Sequence, residues 1–305
     1  MTVRTPVMRT AVIILVVFLW ALCYPLIALG LADAPPLFLA AMRASTAGVL
    51  LLATGAMLGR PLPSGSTQWL GVAVIGFGTT TLGFGGMFLA GGRVSPGLAT
   101  VLSSTQPLIA AMLGYVALSE WLGRQGLLAL ALGFAGVALV ASDGLTGDGS
   151  FGIVGVLYVL LAALGVAVGN VLLKKLVKRF DPLTALGGQF ALGSLPLWAG
   201  TIALEDLAQF RWSGSLVLVY VALVVLGTVI PAVLWFALLE REDLNRMNAF
   251  TFLTPIFALL LGAAFFDERL AALQWVGTVL VLAAVVLSVS FRSMERIAAR
   301  LRPTP

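Results

Sequence analysis

The sequence contains no histidine and only one cysteine in its 305 residues. Without histidine, zinc sites, imidazole proton relays and Ser-His or Cys-His catalysis lose their usual participant. One cysteine cannot close an intramolecular disulfide, and Cys23, set inside an apolar run, reads as a packing residue. Charge is also scarce. Asp, Glu, Lys and Arg make up 10% of the chain, against about 25% in soluble domains. All 13 acidic residues fall in loops or at the ends of apolar runs, so no carboxylate is available at mid-membrane depth. A glycine loop for nucleotides is missing too. Gly76 to Gly86 is glycine-rich, but no third glycine follows Gly76 at GxGxxG spacing and no βαβ pattern surrounds it.

What the chain has in excess is apolar surface: 60% hydrophobic residues and a mean hydropathy of +1.07. This is the composition of a multi-pass membrane protein. About 20 apolar residues cross a bilayer as a helix. By that rule ten spans are predicted, at about 10–31, 36–58, 67–90, 95–118, 123–141, 151–177, 182–204, 213–239, 245–265 and 270–291. The first follows Arg4 and Arg9 like a signal peptide, but it exceeds the ~7–15-residue apolar core of one and reads as a transmembrane helix. Breakers mark the loops: Pro35-Pro36, Pro61 and Pro63, the Gly/Asp stretch from Ser142 to Ser150, and Asp181-Pro182. A basic tail, 292–305, closes the chain.

Lysine and arginine give the orientation. With the N-terminus inside, 14 of them fall on the inner side, only Arg93, Arg211 and Arg269 fall outside, and Arg43 remains within a span. The asymmetry puts both termini in the cytoplasm.

The chain also repeats. Pro107 and Glu120 are 13 residues apart, as are Pro255 and Glu268. Tyr24 to Pro36 is 12 residues, as is Asn170 to Pro182, and in that register Arg43 matches Gln189; in the third and eighth spans Gly78-Thr79 matches Gly227-Thr228. Ten spans divide into five and five, and an odd number per repeat inverts the second copy. The expected organisation is a five-helix repeat at 1–141, an inverted five-helix repeat at 151–291, and the tail. Inverted repeats are a transporter architecture with the binding site near the midplane.

The segment from Trp20 to Pro25, the run from Pro36 to Arg43, and the twin helix-Pro-apolar-Glu segments ending at Glu120 and Glu268 resemble the drug/metabolite transporter superfamily, in its ten-helix EamA-like branch. The resemblance covers nearly the whole chain. It implies an all-α membrane fold, a central cavity lined by the first four helices of each half, peripheral fifth and tenth helices, and export of amino acids or related metabolites across a bacterial inner membrane. Small multidrug pumps of that superfamily use an intramembrane carboxylate, which is missing here. A sugar-phosphate or nucleotide-sugar carrier is the alternative, though it would want more intramembrane Lys and Arg than Arg43 alone. A lipid scramblase or an intramembrane enzyme is the alternative of another class; the enzyme lacks a catalytic set.

Arg43 lies seven residues past Pro36, roughly 10 Å into the second span. It reads either as an anchor for a substrate carboxylate or as a structural group bonding backbone carbonyls, with the structural reading ahead. Thr100, Ser103 and Pro107 share one helix face, as do Asn248, Thr251 and Pro255, and Gln106 and Thr254 precede the two prolines. These polar groups either line a cavity or bond their own helix. Trp20, Tyr24, Thr79, Thr80, Phe84, Asn170, Gln189 and Trp235 complete the expected cavity, with kinks at Pro25, Pro107, Pro231 and Pro255. No cofactor or metal is called for. The expected partners are a small-molecule substrate and the bilayer, with no nucleic acid; the oligomeric state is left open, a monomer included. Lacking a mid-span carboxylate, transport is expected to run without an obligatory proton partner.

Overall fold

The fold is described from a computed structural model, for residues 6–106, 108–110, 112–113, 124–141, 150–176, 181–239, 250–251 and 253–301. Among these residues the regular structure is entirely helical. Ten helices follow in order. α1 runs Pro6–Ala21 and resumes as Cys23–Gly30; α2 is Pro36–Met57. α3 combines Ser66–Gly76, a π-helical stretch Phe77–Leu82, and Gly83–Ala90. α4 is Pro96–Ser103, α5 Arg124–Ala141, α6 Ser150–Leu176 and α7 Pro182–Leu204. α8 combines Gly214–Val221, a second π-helical stretch Ala222–Val229, and Ile230–Leu239. α9 is Leu253–Phe265 and α10 is Ala272–Leu301.

Proline and short polar side chains set the boundaries. Pro36, Pro96 and Pro182 each open a helix at a position whose N–H has no intrahelical acceptor. Asp181 caps α7 by accepting from Leu183 N and Thr184 N at 3.0 and 3.1 Å, and Ser213 caps α8 through Leu216 N at 3.0 Å. Pro25 has no N–H for the carbonyl of Ala21, and α1 breaks at Leu22.

Among the described residues five helices are long and apolar enough to span on their own, α1, α2, α3, α6 and α8, and α5, α9 and the apolar part of α10 are shorter. The expectation of ten uniform spans is refined accordingly. α7 reaches 23 residues, but Gln189, four glycines and Pro196 dilute its hydropathy. α4 stops at Ser103, with a turn at Ser104 and Thr105. The tail is also refined: α10 continues through the basic residues to Leu301, because Glu, Arg, Ala and Leu there favour helix.

Helix pairing is specific. α2 packs along α7, α4 on α9 and α5 on α10, while α3 lies on α6 and α1 on α8. Small residues bring the backbones together. A Cβ on Gly165 would stand 2.5 Å from Gly78 O, and one on Gly76 2.5 Å from Gln189 O, so α3 is pressed between α6 and α7. Gly59 does something else: its φ is +64 and no described residue comes within 4 Å of an added Cβ. It turns the chain out of α2. Large side chains such as Ile202, Leu218 and Phe265 remain exposed on the outer faces, as a lipid-facing surface requires.

Candidate functional site

Arg43 is the buried junction of four helices. It projects from α2 and is 2% exposed. Its Nε donates to Thr228 Oγ1 at 3.1 Å, and Nη2 reaches Gly227 O and Cys23 Sγ, both at 3.3 Å. Its guanidinium carbon lies 4.5 Å from the centroid of the Phe84 ring and 5.8 Å from that of Phe88. Met87 Sδ is 4.0 Å from Nη1. Among the described residues no carboxylate pairs with it. A carbonyl, a hydroxyl, a thiol and two aromatic faces take the place of a counter-ion.

Local sequence explains why these acceptors are free. Pro231 cannot donate to the residue four before it, which is Gly227. That freed carbonyl is the one Arg43 takes. The π-helical turn lets Thr228 Oγ1 donate to Leu223 O at 3.0 Å while it accepts from Arg43. Cys23 enters directly after the break in α1.

Two more contacts unite expected cavity residues. Trp20 of α1 and Trp235 of α8 have ring centroids 5.0 Å apart. Tyr24 of α1 is buried with its phenol beside the Ser103 hydroxyl of α4. Phe84 also meets Phe190, 5.3 Å between centroids, next to the buried Gln189.

Other expected residues are occupied locally. Thr100 is 3% exposed and donates to Pro96 O at 2.9 Å, Ser103 donates to Thr100 O at 2.9 Å, and Thr79 donates to Ile75 O at 2.9 Å. Thr80 is fully buried against Gly193, its hydroxyl without a partner among the described residues. Gln106, Thr251 and Thr254 are half-buried, Pro231 and Pro255 are buried, and Asn170 is exposed on α6. Asn248, Pro107 and Glu120 lie outside the described residues. Among the described residues no group of three or more Cys, Asp or Glu could hold a metal ion.

Several residues were not singled out by sequence. Cys23, Thr228 and Gly227 complete the Arg43 junction, and the position of Pro231 four residues after Gly227 was the available signal. Two carboxylates tie the halves together. Glu205, at the end of α7, accepts from Leu37 N and Phe38 N of α2 at 2.6 and 2.7 Å. Glu268, after α9, accepts from Gly97 N of α4 at 3.0 Å. At the same end, Arg211 N donates to Asp33 O at 2.9 Å and Ser213 Oγ to the Asp33 carboxylate. At the opposite end, Arg60 pairs with Asp181 at 3.7 Å, and Thr184 Oγ1 donates to Pro61 O at 2.7 Å. Burial pushes the Glu268 carboxyl above the usual range, opposed by the Gly97 N–H and the Ser95 hydroxyl.

An all-helical bundle with long apolar helices and exposed apolar outer faces is that of a membrane protein, and the chain belongs to the EamA-like transporter family, whose model matches it twice, at residues 10–142 and 153–290. It is a multi-pass membrane transporter and not an enzyme. It is similar to an uncharacterized transporter of Synechocystis, 32% identical over 88% of this chain and 86% of that one. It also resembles a chloroplastic WAT1-related protein of Arabidopsis thaliana, 33% identical over 83% of this chain, and spans 62% of that protein's length. A protein of Escherichia coli K12 named a probable amino-acid metabolite efflux pump is 28% identical over 90% of this chain and 93% of its own. One crystal structure matches the fold with a TM-score of 0.64, at 19% identity, over 95% of this chain and 100% of the other.

Proposed function

We propose that the chain exports small metabolites, amino acids first among them, from the cytoplasm across a bacterial inner membrane by alternating access between two inverted five-helix repeats, 1–141 and 151–291, with both termini cytoplasmic. The observation that carries this reading is the helix pairing. Advancing every helix by five maps α2–α7, α4–α9 and α5–α10 each onto itself, and exchanges α3–α6 with α1–α8. A two-fold relation between the halves has this signature, and such repeats bind substrate where they meet. The meeting place is bounded by Trp20 and Trp235, Tyr24 and Ser103, and Arg43 beneath Phe84. Aromatic faces with a few hydroxyls suit a small amphipathic zwitterion better than a phosphate, since Arg43, the one buried cation among the described residues, already gives its Nε and Nη2 to protein acceptors. The resemblance to an amino-acid metabolite efflux pump supports the substrate class.

The test is uptake into proteoliposomes with a panel of labelled amino acids. Transport of at least one, saturable and competed by its unlabelled form, is expected. A protein inert to all of them and active with sugar phosphates overturns the proposal.

A further inference from the structure

Two carboxylates cap helices of the opposite half, and they do so unequally. Glu205 gives each of its oxygens an amide N–H, from Leu37 and Phe38. Glu268 gives only Oε1 one, from Gly97 at 3.0 Å, and its Oε2 is buried with no hydrogen-bond partner among the described residues.

The seat of Glu268 is a built one. Asp267, at φ 49, turns the chain back over the end of α9, and Glu268 N donates to Gly262 O at 3.2 Å. A Cβ on Gly262 would stand 2.5 Å from the Glu268 carboxyl carbon, and one on Gly97 would stand 2.5 Å from Oε2. Bare backbone of α9 on one side and of α4 on the other closes over the acid.

The charged and titratable surroundings are few. Asp267 and Arg269, on its own segment, are exposed. Arg93, in the loop entering α4, donates to Leu89 O and lies over Tyr158 of α6. α1 brings Tyr24 to the same cluster. α10 carries no charge before Arg292. Among the described residues no arginine or lysine nitrogen pairs with Glu268.

We propose that Glu268 is the proton site of the outer gate, a neutral acid while α4 and α9 are closed upon it and a carboxylate once they part. The proposal rests on the topology and transport reading above. On closure, a proton from the outer water adds to Oε2. Oε1, as a carbonyl oxygen, keeps the Gly97 N–H, and the Ser95 hydroxyl stays with the same carboxyl group. On opening, the proton returns to water and both oxygens are hydrated. A bare, buried carboxylate oxygen costs more than the same oxygen protonated and neutral. The raised pKa of Glu268 agrees in direction. A closed contact that binds its proton more tightly than the open one is favoured by acid and weakens as pH rises through the closed-state pKa.

Hydrogen exchange of the Pro96–Ser103 segment tests this in the full chain, in lipid nanodiscs without substrate. Protection is expressed against the intrinsic exchange rate at each pH. In the wild type it falls as pH rises, by about tenfold for each unit separating the closed-state and open-state pKa values. Glu268→Gln keeps an oxygen for Gly97 and is neutral at every pH, so its protection stays high and flat. Glu205→Gln alters the saturated cap on α2 and retains the wild-type profile at α4. A flat wild-type profile, a Glu268→Gln profile that follows the wild type, or loss of the profile in Glu205→Gln overturns the proposal. The readout uses no substrate, so failure to move amino acids leaves it standing, and the reverse holds.

Discussion

Arg43 occupies the carbonyl that Pro231 leaves vacant: Nη2 lies 3.3 Å from Gly227 O, four residues before the proline. A guanidinium in an apolar bundle is stable only when its donors are used, and an α-helix offers a free mid-span carbonyl only where its ladder is interrupted.

Replacing Arg43 with Gln or Lys leaves Gly227 O and Thr228 with fewer partners, at about 1–3 kcal/mol for each group left unsatisfied. Both variants are expected to show lower folded yield and a lower melting temperature in detergent. Normal stability combined with selective loss of amino acids over their decarboxylated amines would instead assign Arg43 to substrate carboxylates.

Trp20 and Trp235 connect α1 to α8 at 5.0 Å. Trp235→Ala removes an aromatic pair worth about 0.5–1.5 kcal/mol beyond burial. Reduced substrate affinity is expected, with folded yield near wild type, checked by competition in exchange assays and by size-exclusion recovery.

Ser103 already satisfies its hydrogen bond within α4 and still meets Tyr24. Ser103→Leu and Thr251→Leu should both block transport, with the melting temperature held in Thr251→Leu and lowered in Ser103→Leu, which takes a partner from the buried Tyr24 phenol at about 1–3 kcal/mol. Normal transport in both would place the substrate path elsewhere.

Orientation can be read with single cysteines. Leu62, after α2, and Ala208, after α7, are exposed. Cys23→Ser is the background of choice, since a hydroxyl can still accept from Arg43. Labelling of Leu62→Cys and Ala208→Cys from opposite sides by an impermeant maleimide is expected, and labelling from the same side removes the inverted repeat.

Glu268 predicts a pH dependence of stability. Its folded pKa is raised by burial, so its contribution is complete below the usual carboxylate value, about 4.3, and is lost as pH rises through the folded value. The melting temperature of Glu268→Gln should gain on that of the wild type across that window. A constant difference would mean that the carboxyl titrates as it does in water.

Much of the helical fold was legible because span length and breaker residues are one-dimensional signals. The starts at Pro36, Pro96 and Pro182 were marked by the prolines themselves. The site was less legible, because its bonds join distant residues through features with no pattern of their own. Cys23 looked like packing and accepts from an arginine 20 residues on. Thr80, offered as a cavity residue, is pressed against Gly193, a contact set by where α3 crosses α7. Glu205 and Glu268 lay at helix ends as the sequence required, but which amides they cap depends on how the halves meet. Pro25 was readable from the start, since a missing N–H acts on its own helix.

The π-helical stretches in α3 and α8 have a mechanical meaning. Each holds surplus chain, like a wrinkle in a carpet, and a wrinkle travels by exchanging one carbonyl partner for the next without the helix coming apart. Each residue the surplus passes turns by about 100° around the axis. Thr228, inside the stretch in α8, would swing away from Arg43 on such a step. Two helices that can change twist without changing length, one in each half, give a bundle of fixed thickness a way to re-aim its interior.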